Sequence, residues 1–195
     1  MWWFLSRFFS KKEHLRIQTY KIDKSYNDMS KLSDHITLKE AIKSNTANRL
    51  GIDNTPNDRQ LKVMRYLAVN FFEVLRAGLG SSPIVINSFY RCEELNTKIG
   101  GSLTSDHMVA LDTAAIVLDN DSIELQTGIS NADIFYFIYD NLDYYKLIWE
   151  FGDENKPNWV HISYSIEDRK NKRKQTFVAK KVNNKTTYTT FKDPR

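Results

Sequence analysis

The chain has 195 residues, 41% hydrophobic and 13% aromatic against 27% charged, with a formal net charge of +4. That composition excludes a disordered chain and leaves room for one domain with a real core. The single cysteine, Cys92, excludes an internal disulfide, and no apolar run approaches the ~20 residues that a membrane span requires.

The start, Met1-Trp2-Trp3-Phe4-Leu5, is aromatic and short, and its charges (Arg7, Lys11, Lys12) follow the apolar stretch. A secretory signal has the reverse order, so none is predicted; the tract suits an interfacial anchor or packing onto the domain or a partner. Residues 1–33 read as an extension with one strand, Leu15 to Ile22. The other basic run, Arg169-Lys170-Asn171-Lys172-Arg173-Lys174, is a solvated turn or a contact for an anionic polymer. No specific nucleic-acid recognition is predicted from it.

Thr37 with Glu40 three residues on predicts a capped helix to about Ser44. Thr55-Pro56-Asn57-Asp58 predicts a second start, and Leu61, Met64, Leu67, Ala68, Phe71, Phe72 and Leu75 recur at helical spacing until Gly78 and Gly80. Pro83 to Ser88 reads as a β-branched strand, Glu93 to Asn96 as helix, and Gly100-Gly101 as the loop delivering Ser105 and His107. Leu111 to Leu118 reads as a buried strand that closes at a turn, Asp119-Asn120-Asp121, and no metal-binding role is expected of Asp119 or Asp121. Ser130 caps a helix through Leu142, and Tyr145 to Phe151, Trp159 to Tyr164, Gln175 to Val182 and Thr186 to Phe191 read as antiparallel strands. Helices first and strands late predict an α+β fold with an antiparallel sheet.

Two short segments each place a histidine among apolar and small neighbours: Ser105-Asp106-His107-Met108 and Trp159-Val160-His161-Ile162. Neutral imidazoles on rigid elements, with the carboxylate of Glu150 one hairpin away, are what a catalytic zinc site needs. Either histidine alone is more often a satisfied core residue. Cys92, between Arg91 and Glu93, has no local sign of an activated nucleophile and reads as structural.

From about His35 to Ala179 the chain resembles the M15 family of zinc peptidases, in particular small bacteriophage D-alanyl-D-alanine carboxypeptidase-like members. The likeness rests on Thr37 to Ala41, Arg49 to Pro56, Ser88 to Arg91, Leu95-Asn96, Gly100 to Ser102, Ser105 to Met108, Leu147 to Gly152 and Trp159 to Tyr164. The resemblance implies a Hedgehog/DD-peptidase-like fold over residues 34–182, with 183–195 a C-terminal strand and tail. It also implies zinc held by His107 and His161, Glu150 as general base, Arg91 binding a substrate carboxylate or amide, and Ser105 orienting the first ligand or the substrate. The implied substrate is a peptidoglycan peptide, cut by a chain made in the bacterial cytoplasm and acting at the cell wall.

The third ligand departs from the family pattern Ser-x-His-x-x-Gly-x-Ala-x-Asp, which places Ala110 at the glycine and Ala114 at the aspartate; an alternative alignment places Ala115 there. Asp112 is the expected substitute after a two-residue slip, which keeps each side chain on its face. The competing expectation is a metal-deficient, non-catalytic wall-binding or virion component. Phe89, where glycine commonly precedes the Tyr-Arg pair, narrows a cleft or packs beneath it.

Overall fold

The computed structural model of the protein describes residues 30–108, 115–122, 124–166 and 168–195. The aromatic start and the expected strand over Leu15 to Ile22 lie outside them. Helix starts are fixed by side-chain caps. Thr37 accepts the Glu40 amide and opens α1 (Leu38–Ala41). The helix does not run on to Ser44, because Ser44 accepts the Ala47 amide and caps a separate helix, α2 (Asn45–Leu50). The long helix starts at Asn57 and not at Thr55. Asn57 and Gln60 form a reciprocal capping box ahead of α3 (Asp58–Leu67), while the Thr55 amide is turned onto the Asp53 carboxylate.

From α3 the chain continues through a π-helical stretch, Ala68–Phe72, into α4 (Glu73–Gly78). The expected apolar stripe from Leu61 to Leu75 is buried in the core. At about 1.5–3 kcal/mol per large apolar side chain, it is a principal source of stability. Then come β1 (Ile84–Ser88) and α5 (Glu93–Lys98), whose cap is the Cys92 sulfur accepting the Leu95 amide at 3.4 Å.

β2 runs Ala115–Ser122, which corrects the expected turn: Asp119 and Asp121 are strand residues. Locally Asp-Asn-Asp favours a turn, but β2 pairs on both sides, with β1 and β4, and pairing overrides that preference. Residues 109–114, Asp112 among them, lie outside the described residues. After α6 (Glu124–Thr127), Ser130 and Asp133 form a capping box ahead of α7 (Asn131–Asn141). The chain ends with β3 (Lys146–Glu150), β4 (Trp159–Ser165), α8 (Asp168–Asn171), β5 (Gln175–Val182) and β6 (Lys185–Thr190). No described helix is long and apolar enough to cross a membrane.

The described strands form a six-stranded sheet in the order β1-β2-β4-β3-β5-β6. Its neighbours are antiparallel except β3 and β5, which run parallel. This corrects the expected all-antiparallel sheet. β2 and β3 occupy the two edges of β4, so the chain leaving β4 passes through α8 and enters the sheet on the far side of β3. The architecture is mixed helix and sheet, compatible with the α+β class.

Alternation along the strands sorts the sheet into two faces. Leu147 and Trp149 of β3 and Val160 and Ile162 of β4 join the helical core with Ile134 and Ile138 of α7. By register, Lys146, Ile148 and Glu150 share the other face with Trp159, His161 and Ser163. A 3-10 turn, Asp106–Met108, packs against β2 and supplies the second histidine. Beyond β6, Phe191 packs among Phe135, Tyr139 and Trp149.

Candidate functional site

His107 on the 3-10 turn and His161 in the middle of β4 converge, with ring centroids 5.6 Å apart and planes at 75°. His107 is buried, and its Nδ1 lies 2.8 Å from the Phe89 carbonyl oxygen. A carbonyl only accepts, so Nδ1 carries the proton and Nε2 is the lone-pair nitrogen. The same segment grips the residue again through the Arg91 N–H, which donates to the His107 carbonyl at 3.0 Å. Phe89 itself is buried in the core, so its ring is packing and does not narrow a cleft.

That segment is in turn held by Asn54. Its Oδ1 accepts the Cys92 amide at 2.7 Å, and its Nδ2 donates to the carbonyls of Ile42 at 2.9 Å and Tyr90 at 3.2 Å. One amide thus fixes the backbone on both sides of Arg91. From α3, Gln60 donates to the Met108 carbonyl at 3.2 Å and accepts from the Tyr90 hydroxyl at 3.1 Å. Burial above all, then the nearby Cys92, pushes the Tyr90 phenol above its ordinary value against the Gln60 hydrogen bond, which keeps it a neutral donor. Asn54 and Gln60 were not singled out from the sequence. Asn54 sits inside a resembling string, and Gln60 reads only as a helical polar residue.

Among the expected site residues, Ser105 precedes the turn and closes it, its carbonyl accepting the Met108 amide at 3.1 Å. Arg91 is half-buried beside His107. Glu150 is buried on β3 with Trp159 as its Cα partner, so His161 stands diagonally across from it. Such diagonal neighbours lie roughly 7–8 Å apart, within reach of a glutamate and an intervening water. The fold therefore brings His107, His161 and the Arg91 backbone together and sets Glu150 on the same face as His161.

No group of three or more His, Cys, Asp or Glu placed to hold a metal occurs among the described residues. The backbone register adds one fact that the sequence pattern hides. Asp119 of β2 is the Cα partner of His161 on one side and of Ser88 on the other. A tetrahedral zinc bound by two imidazoles at about 2.1 Å holds their ring centroids roughly 5.3 Å apart, against the 5.6 Å found for His107 and His161. Two imidazoles at this separation are donors that suit zinc.

A family model described as Peptidase M15 matches residues 34–144, a span that takes in Arg91, Ser105 and His107 and ends before Glu150 and His161. No curated protein matches the chain.

Proposed function

Since the chain belongs to the peptidase M15 family, we propose that it is a zinc-dependent peptidase hydrolysing D-amino-acid-containing peptides of bacterial peptidoglycan, of carboxypeptidase or endolysin type. The supporting observation is the convergence of His107 and His161 at a separation that fits one zinc ion. In this reading His107, His161 and Asp119 hold the metal. Asp119 is assigned here in preference to Asp112 because its backbone register pairs it with His161, whereas Asp112 lies outside the described residues. When bound, zinc supplies Lewis acidity that polarises a carbonyl and lowers the pKa of a water to about 7 in favourable sites.

The chain's own groups do the rest. Glu150 accepts the proton that water loses on adding to the carbonyl carbon, and returns it to the amine nitrogen as the C–N bond breaks. The Arg91 guanidinium binds the free carboxylate of the peptide through two parallel hydrogen bonds. Ser105 orients the turn that carries His107.

The layered sheet is read as the Hedgehog/DD-peptidase arrangement over residues 34–182, with the strand and tail of 183–195 added at its edge. Residues 1–33 serve anchoring or partner binding, and a bacteriophage-borne protein of this kind acts at the wall of its host. The test is incubation of the zinc-loaded protein with muropeptides, read by mass spectrometry. The reading predicts release of D-alanine or a cleaved stem peptide, slowed on the order of 100-fold or more in Glu150→Gln. No cleavage would overturn it in favour of a non-catalytic wall-binding or virion component.

A further inference from the structure

One network beside the two histidines has no role in the chemistry above. Asp106, the residue before His107, is buried, and a buried carboxylate is costly unless it is paired and hydrogen-bonded. Its Oδ2 takes both partners: the hydroxyl of Ser163 donates at 2.7 Å and the ammonium of Lys146 at 3.0 Å. Those partners face each other across the sheet, Lys146 on β3 being the Cα partner of Ser163 on β4. Each stands two residues, on the same face, from the next pair, Ile148 and His161. The contact therefore ties the turn that presents His107 to the strands that present His161 and Glu150.

The same network fixes a proton. Ser163 has one hydroxyl proton and gives it to Asp106, so only its lone pairs remain for His161, whose Nε2 lies 3.5 Å away. A lone pair facing Nε2 favours the tautomer with hydrogen on Nε2.

We propose that Asp106, held by Lys146 and Ser163, is a positioning residue that sets both the spacing of the two imidazoles and the tautomer of His161. The proposal rests on the metal-binding reading given above and adds a device to it. Asp106 and Ser163 lie inside two of the resembling strings, Ser105 to Met108 and Trp159 to Tyr164, and Lys146 lies outside them. Asp106 acts on the ligands without touching the metal, and Lys146 neutralises it so that the turn can be buried as a charged group.

The experiment uses the full chain with cobalt(II) as a spectroscopic probe and zinc for competition. Wild type, Ser163→Ala, Lys146→Met and Lys146→Arg are compared by metal affinity, by the cobalt d–d absorption bands and by nitrogen-15 spectra of the histidine rings without metal. The proposal predicts metal affinity weakened about 10- to 100-fold in Ser163→Ala and Lys146→Met. It also predicts altered cobalt bands, loss of the Nε2–H preference of His161 in Ser163→Ala, and recovery of most of the affinity in Lys146→Arg. If Lys146→Met does not fold, Ser163→Ala, which removes only a hydroxyl, decides alone. Wild-type affinity, bands and ring spectra in Ser163→Ala would overturn the proposal while leaving the metal reading intact. A wild type that binds neither metal would overturn both.

Discussion

Replacing Asn54 with alanine removes three hydrogen bonds at once, those to the Cys92 amide and to the Ile42 and Tyr90 carbonyls. Each contributes about 0.5–1.5 kcal/mol net, and a buried backbone group left unpaired costs about 1–3 kcal/mol. The Tyr90 bond is buried, whereas the other two are partly accessible, so water can satisfy some of the orphaned groups. The expected loss is therefore roughly 2–3 kcal/mol, read as a lower urea midpoint at unchanged m-value for the metal-free protein. Because Phe89 and Arg91 both hold His107, metal affinity falls with it. A loss below about 1 kcal/mol, with metal affinity intact, would refute the idea that this amide organises the site.

Three further outcomes are expected. Burial pushes the Tyr144 phenol up to about 12, against its 2.7 Å hydrogen bond with Thr176. The unfolded chain, with a value near 10, loses that proton first, so the contribution is fully present below pH about 10 and is lost as pH rises toward 12. Tyr144→Phe should flatten the fall in stability across that window in pH-dependent denaturation. Gly152 sits at φ 72°, and an added Cβ would stand 2.2 Å from the Lys156 carbonyl oxygen, so Gly152→Ala should cost well over the ~1 kcal/mol of backbone conformation alone in thermal unfolding. Arg91→Lys loses the fork that grips a carboxylate; KM for peptides with a free C-terminus should rise about tenfold with kcat less affected.

The helices were legible where a cap and an apolar stripe coincide, as at Ser130 with Asp133 and from Leu61 to Leu75. Their details were not. The π-helical stretch at Ala68–Phe72 keeps the apolar residues at spacings that also fit an α-helix, and the shift from Thr55 to Asn57 follows from the Asp53 carboxylate accepting the Thr55 backbone N–H. The strands themselves could be read from alternation, yet alternation says which residues share a face and not which strands are neighbours. That is why the parallel seam between β3 and β5 was missed. The site shows the same limit. His107, His161 and Glu150 were legible as residue types in resembling strings, but Asp119 looked like part of a turn because its partners, Ser88 and His161, lie 31 and 42 residues away and the pairing is long-range. Asn54 and Asp106 sit inside resembling strings and Lys146 outside them, and the hydrogen bonds that give all three their roles exist only once the chain is folded.

The central claim is that His107, His161 and a carboxylate on β2 hold one zinc ion. Zinc content after equilibrium dialysis, measured by mass spectrometry on wild type, His161→Ala, Asp119→Ala and Asp112→Ala, tests it most directly. The account predicts about one zinc per chain in wild type and in Asp112→Ala, and strongly reduced content in His161→Ala and Asp119→Ala. A wild type that retains no zinc, or an Asp119→Ala protein that retains it fully, would contradict the account.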